Sequence, residues 1–116
     1  MAADIEPFSV VDNDNGTFSL LLSEFEPTDE LFEEVGSLGP GYAWETVALY
    51  VVENIATELA DRLDFDSEHS MFCAFGKDRE ALQALGVRLA RLFRDERALA
   101  KIIKAIGRRG FDLFGD

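Results

Sequence analysis

The 116-residue sequence lacks the residues on which several classes of protein depend. It has one cysteine, Cys73, and one histidine, His69, so neither an internal disulfide nor a tetrahedral zinc site of cysteine and histidine ligands is expected. No stretch approaches the roughly 20 consecutive apolar residues of a membrane-spanning helix. The acidic first six residues have no basic segment, so we expect no secretory signal peptide. These absences favour a cytoplasmic protein.

Basic side chains are almost missing from the first two thirds of the chain. Residues 1–76 carry seventeen acidic residues and one basic residue, a net charge of −16, whereas residues 77–116 carry ten basic and six acidic residues, a net charge of +4. The total of −12 argues against non-specific binding to nucleic acid or to an anionic membrane. Either the two segments attract each other within the fold, or the acidic segment is available to a basic protein partner.

The sequence does contain enough apolar residues for one folded domain over residues 1–116, because 47% of them are hydrophobic and ten are phenylalanine. Strands are predicted at residues 8–11 and 17–25, joined by an Asn- and Gly-containing turn, and at residues 70–75. Apolar steps of three and four predict a helix of about five turns from Trp44 to Leu59, and two further helices capped by Asp78 and Asp95. This order favours an α+β fold, with about three antiparallel or mixed strands and helices on one face.

The second predicted strand has one apolar face and one mixed face. Phe18, Leu20 and Leu22 share the first face, whereas Ser19 and Leu21 lie on the other. The third predicted strand is nearly all apolar, which predicts a central position in the sheet.

Two candidate chemical sites lie around the third predicted strand. On one strand face His69 and Cys73 would be about 13 Å apart, beyond the reach of a nucleophile and its base. The spacing favours a small buried Cys73, and a hydrolase built on this pair is an alternative. Asp64, Asp66 and Glu68 alternate, as carboxylates that hold Mg²⁺ or Ca²⁺ can, but no calcium-loop glycine follows, so a solvated edge or turn is favoured.

Two further motifs have simple structural explanations. Gly36, Gly39 and Gly41 lack the Lys-Ser/Thr of a phosphate-binding loop and follow a run of acids, which favours a flexible connection. A basic row repeats at steps of three and four residues: Arg94, Arg97, Lys101, Lys104 and Arg108. Such a row can follow phosphates, but the acidic remainder of the chain favours the solvated face of a helix.

Acidic and apolar residues alternate just after the second predicted strand. The acidic members are Glu24, Glu26, Asp29, Glu30, Glu33 and Glu34, and the apolar ones are Phe25, Leu31 and Phe32. This mixture suits recognition of a basic protein, because charge steers the encounter and aromatic side chains supply contact energy. A soluble surface with core-facing phenylalanines is the alternative.

The segment Gly39–Glu45, which reads Gly-Pro-Gly-Tyr-Ala-Trp-Glu before a helix, resembles the Immunity protein 51 family. So does Leu63–Glu68 leading into Met71–Phe75. With the opening hairpin and the helix after Asp78, the resemblance covers about residues 8–106. The family pattern has a Gly-Asn-Gly-Tyr loop before the Trp, and here Pro40 replaces the Asn, so no role is carried over to that side chain.

The resemblance implies a cytoplasmic protein of a bacterial polymorphic toxin system that binds a cognate toxin and blocks it. It implies no enzymatic activity and no cofactor. From the composition, the motifs and the charge we also expect no metal and no nucleic-acid or membrane partner. The toxin is not identified, and a basic nuclease domain is one candidate; the alternative function is an adaptor or regulatory domain that acts on a housekeeping enzyme. The expected partner-binding residues are Glu24, Glu26, Asp29, Glu30, Phe32, Glu33, Glu34, Tyr42, Trp44, Glu45, Asp64 and Asp66. Alternatively, Trp44 packs its helix on the sheet, and Glu45 stabilises the N-terminus of that helix.

Overall fold

The computed structural model of the chain describes residues 5–34 and 39–109, and for residues 27, 29, 33, 34 and 107–109 it describes the backbone alone. The strands are β1 (Ser9–Asp12), β2 (Phe18–Leu22), β3 (Asp64–Phe65) and β4 (Phe72–Gly76). The α-helices are α1 (Asp29–Glu34), α2 (Pro40–Asn54), α3 (Arg79–Arg94) and α4 (Glu96–Arg109), and 3₁₀ helices cover Glu26–Thr28 and Thr57–Arg62. No helix within the described ranges is long and apolar enough to cross a membrane.

The four strands form one antiparallel sheet in the order β1-β2-β4-β3, which confirms the expected α+β fold. β4 lies between β2 and β3, as its apolar sequence predicted. The sheet has one strand more than expected. This strand, β3, is only two residues long, and so short a strand beside alternating acidic residues cannot be distinguished from a solvated turn by its sequence.

The turn between β1 and β2 confirms the predicted hairpin. Asp14 and Gly16 have positive φ angles of 64° and 86°, a backbone conformation that Asp tolerates and Gly adopts freely. The Asp14 N–H donates a hydrogen bond to Asp12 Oδ1 at 2.8 Å, which closes the turn locally.

Helices α3 and α4 begin at the caps that the sequence indicated. The carboxylate of Asp78 accepts a hydrogen bond from the Ala81 N–H at 3.1 Å, and that of Asp95 accepts one from the Ala98 N–H at 3.1 Å. Each bond satisfies a backbone donor that the first turn of a helix leaves without a partner.

Helix α2 ends at Asn54, earlier than the predicted five turns. The N–H groups of Ile55 and Ala56 both donate to the Val51 carbonyl, at 2.8 and 2.7 Å, and this ends the regular helical ladder. The chain then continues as a 3₁₀ helix that carries Leu59 into the core. The apolar periodicity therefore predicted the burial of Leu59 correctly and its helix type wrongly.

The helices cover one face of the sheet, as expected. Leu20 and Leu22 of β2 and Phe72 and Ala74 of β4 are at most 1% exposed and pack in the core with residues of α2, α3 and α4. Successive side chains of a strand point to opposite faces, so the alternate residues lie on the other face. They are part-exposed, and none belongs to the core cluster of the described residues: Ser19, Leu21, Cys73 and Phe75.

Candidate partner-binding surface

The N-terminus of α2 packs directly on the turn between β3 and β4. The Gly41 N–H donates to the His69 carbonyl at 2.9 Å. A Cβ atom on Gly41 would lie 1.8 Å from the Glu68 carbonyl oxygen, and a Cβ atom on Gly39 would lie 2.5 Å from the His69 ring. These two glycines therefore allow close packing of a helix on a turn, which is their role in the described structure, while Gly36 lies outside the described residues.

A side-chain contact joins α2 to the same connection. Glu45 Oε1 accepts a hydrogen bond from the Ser67 N–H at 3.2 Å, and Ser67 Oγ accepts one from the Cys73 N–H at 3.0 Å. The expectation that Glu45 stabilises the N-terminus of its own helix is wrong, because α2 begins at Pro40 and Glu45 lies in the second turn. Glu45 instead ties α2 to the segment that connects β3 and β4.

Trp44 lies within a buried aromatic cluster. Its ring is edge-on to those of Phe8 and Phe32, at centroid distances of 5.6 and 5.8 Å, and stacks on Phe93 at 5.9 Å. Its indole N–H donates to the buried hydroxyl of Thr28 at 3.3 Å. Trp44 is 0% exposed and Phe32 is 2% exposed. These two candidate partner-binding residues therefore lie in the core and pack beneath the surface residues around them.

Three of the six residues of the acidic segment surround an open groove. The groove has a volume of about 990 Å³ and is lined by Pro7, Glu24, Phe25, Glu26, Glu30 and Phe93. Glu24, Glu26 and Glu30 are exposed, and none of them forms an ion pair with a described residue. The side chains of Asp29, Glu33 and Glu34 lie outside the described structure. The acids whose side chains are described thus share a groove with partly apolar walls, and we name this the acidic groove.

The candidate acids after α2 lie along an edge of the sheet. Asp64 is the cross-strand partner of Phe75, and the Asp66 N–H donates to the Cys73 carbonyl at 2.9 Å. Asp64 and Asp66 are exposed, as is Glu68, so the three acids form a solvated edge. Within the described part of the chain, no three His, Cys, Asp or Glu residues are grouped so that they could hold a metal ion.

Cys73 and His69 differ in their surroundings. His69 is exposed in the turn before β4, whereas Cys73 is half-buried on β4, and no hydrogen bond joins their side chains in the described structure. Partial burial raises the pKa of the Cys73 thiol, and three nearby carboxylates raise it further against the opposing effect of a hydrogen bond with Ser19. At neutral pH the thiol is therefore protonated and a weak nucleophile.

The predicted basic row is divided between two helices. Arg94 is the last residue of α3, so it does not belong to the same helix as the rest, and the side chain of Arg108 lies outside the described residues. The other members are exposed on α4 and form no ion pair with any described residue: Arg97, Lys101 and Lys104. In the described structure these three side chains do not join the basic and acidic segments, whereas Arg94 donates a hydrogen bond to the Glu6 carbonyl.

Residues 8–108 of the chain match the family model for Immunity protein 51. The chain belongs to the Immunity protein 51 family. This membership assigns it an immunity function in general and implies a toxin as its partner. Neither the comparison with curated proteins nor the comparison with solved structures returned a significant match.

The segment of residues 39–45 combines internal and external residues. Pro40 occupies the first position of α2, where its fixed φ angle favours the helix and its missing N–H is not needed. Tyr42 is 43% exposed and available to a partner, unlike Trp44. The contact of this motif with the turn before β4 was not predicted, because it joins residues distant in the sequence.

The sheet face that no described helix covers, the open face, was not among the candidate sites that the sequence indicated. Its exposed or part-exposed apolar members include Val11, Leu21 and Phe75. The mixed face of the second predicted strand was the available signal, but a mixed face by itself does not show whether another element covers it.

Proposed function

We propose that this Immunity protein 51 member binds a cognate toxin in a stoichiometric complex, blocks it and so protects the cell that produces both. The observation that carries the proposal is the family match over residues 8–108. The protein acts in the cytoplasm, where the toxin would otherwise reach its target. It acts by occupying the toxin and does not modify it chemically.

The distribution of charge supports a basic toxin as the partner. The exposed carboxylates of the acidic groove form no ion pair with described residues, so they are available to Lys and Arg side chains of another protein. The net charge of −12 adds a long-range attraction that speeds the encounter. A nuclease domain fits this description, because a surface that binds nucleic-acid phosphates is itself basic.

The environment of Cys73 supports inhibition by binding. The thiol has its pKa raised by burial and by neighbouring carboxylates, and the exposed His69 makes no hydrogen bond to it within the described structure. A nucleophile of this kind needs a hydrogen-bonded imidazole base or a lowered pKa, and among the described residues Cys73 has neither.

Coexpression tests the proposal. The chain would be expressed together with the toxin domain encoded beside its gene, and the survival of the cells would be measured. Calorimetry would measure the binding of the two purified proteins. We expect survival to be restored and a 1:1 complex to form. Cell death at full expression of the chain, together with no binding of the purified proteins, would refute the proposal.

Charge reversal tests the part played by the acidic groove. The groove variant replaces Glu24, Glu26 and Glu30 by lysine. The matched control replaces three other exposed residues, Glu53, Glu58 and Glu96, by lysine, so both variants have the same net charge. We expect the groove variant to associate with the toxin roughly tenfold more slowly at low salt, and the control to change much less. Stopped-flow mixing measures both rates. Equal slowing would assign the effect to net charge and remove the groove from the interface.

A further inference from the structure

The sheet face opposite the helices carries an apolar strip. The pairing register of the strands places the side chains of this face in two cross-strand rows. The first row is Ser9, Leu21 and Cys73, and the second row is Val11, Ser19 and Phe75. Directly opposed side chains of antiparallel strands lie about 5 Å apart, so the members of each row are in contact range. Val11 is 41% exposed and the central members are part-exposed, and none of the six belongs to the core cluster of the described residues.

Each row ends in an aspartate at the β3 edge. Asp64 pairs opposite Phe75 and continues the second row. The Asp66 N–H donates to the Cys73 carbonyl, which continues the first row by the same register. The carboxylates of Glu45 and Glu68 also act electrostatically on Cys73, so they lie near the same edge. The apolar strip is therefore flanked by carboxylates on its β3 side.

We propose that this open sheet face is the surface on which the toxin docks. Its partner presents an apolar centre with Lys or Arg side chains on the side that meets β3. The inference rests on the proposed immunity function and adds the location and chemistry of the interface. An apolar centre with a charged rim is the usual anatomy of a protein–protein interface, in which the centre supplies affinity and the rim supplies steering.

The size of the face indicates how far the partner extends. The four strands are two to five residues long. With about 3.3 Å per residue and about 4.8 Å between strands, they give a flat area of roughly 250 Å², less than half of the roughly 800 Å² that each partner contributes to a standard interface. The contact must therefore reach beyond the strands. At the end of the sheet where Leu22 of β2 pairs with Phe72, the chain reaches Glu24 two residues later, so the acidic groove begins at this end of the sheet.

Charge favours a basic toxin over a second copy of this chain. Two copies packed through this face would bring the carboxylates of both β3 edges, and two net charges of −12, close together. Like charges at an interface cost free energy, whereas Lys and Arg on a toxin would pair with the same carboxylates.

The main test compares two exposed aliphatic residues on opposite sides of the molecule. Val11→Lys places a cation on the sheet face, and Ile55→Lys is the matched control, since Ile55 is 47% exposed beside α2, α3 and α4. With the purified toxin domain encoded beside this chain's gene, we expect Val11→Lys to weaken binding roughly tenfold or more and Ile55→Lys to leave it nearly unchanged. Phe75→Ala should weaken binding similarly. Circular dichroism checks that each variant is folded.

The single thiol provides a test that needs no substitution. Cys73 lies in the strip, so a bound toxin should cover it. We expect alkylation of Cys73 by a maleimide at pH 8 to slow roughly tenfold when the toxin domain is added in saturating amount. An unchanged rate in the saturated complex would overturn the inference.

The outcomes separate this inference from the proposed function. If the unaltered protein binds the toxin and protects cells, while Val11→Lys and Phe75→Ala bind equally well, the interface lies elsewhere and the inference fails alone. If the unaltered protein neither binds nor protects, the proposed function fails. A dimer in light scattering that Val11→Lys converts to a monomer would show a second copy on this face and would also overturn the inference.

Discussion

Replacing Gly41 by alanine tests the contact between α2 and the turn before β4. The added Cβ would lie 1.8 Å from the Glu68 carbonyl oxygen and 2.7 Å from that of Met71, whereas Cβ atoms essentially never approach other heavy atoms within 3.0 Å. Both neighbours are backbone atoms, so no side chain can rotate away. The helix or the turn must move by more than 1 Å.

The expected loss of stability for Gly41→Ala has three parts. Overpacking costs about 1–3 kcal/mol. The hydrogen bond from the Gly41 N–H to the His69 carbonyl contributes about 1 kcal/mol and is weakened by the same movement. Alanine regains up to about 1 kcal/mol of helix propensity. The net expectation is a destabilisation of about 2 kcal/mol, which lowers Tm by roughly 8 °C for a chain of this length.

Thermal unfolding monitored through the fluorescence of Trp44, the single tryptophan, measures this loss. Two control substitutions are expected to cause smaller losses of stability. Gly16→Ala has free space around the new Cβ but a φ of 86°, so only backbone strain of about 1 kcal/mol is expected. Tyr42→Ala changes an exposed neighbour and should have an effect within about 0.5 kcal/mol. A Gly41→Ala variant as stable as the unaltered protein would refute the close contact.

Three further predictions concern single side chains. Trp44→Phe removes the hydrogen bond to Thr28 and leaves space in the core, so urea unfolding followed by circular dichroism should show a loss of about 1–2 kcal/mol; no loss would contradict the assigned packing. Asp78→Ala should cost about 1 kcal/mol in the same assay, whereas Asp78→Asn, which can still cap α3, should retain most of the stability. Because burial and carboxylates raise the thiol pKa, Cys73 should be alkylated more slowly than free cysteine at pH 8, its rate should level off at a higher pH than that of free cysteine, and Asp66→Asn should speed the reaction at pH 8; a rate that levels off at the same or a lower pH than that of free cysteine would contradict the raised pKa.

Local sequence patterns predicted most of the elements because their causes are local. The caps at Asp78 and Asp95 satisfy donors three residues away, and the turn before β2 follows from residues that accept positive φ. The alternation in β2 identified its buried face. The strand β3 was missed because its two residues lie among alternating acidic residues that a solvated turn explains equally well, and its existence depends on pairing with β4.

The candidate site was predicted less completely, since exposure depends on tertiary packing. Phe32 and Trp44 stood among the expected partner-binding residues, but both are buried, while Tyr42 between them in the sequence is exposed. Glu45 bonds to the Ser67 backbone and not to its own helix terminus. No sequence period distinguishes an aromatic residue that packs inward from one that contacts a partner.

The sequence by itself determined the family, the α+β class and the division of charge, because these depend on residue identity and short-range periodicity. Only the tertiary structure decided where that charge lies. Pairing of β3 with β4 places Asp64 and Asp66 beside Cys73 and Phe75, on the sheet face that the described helices leave open. That arrangement joins residues of two paired strands, and it arises because helices cover one face of the sheet to bury the core, while no described helix covers the other face.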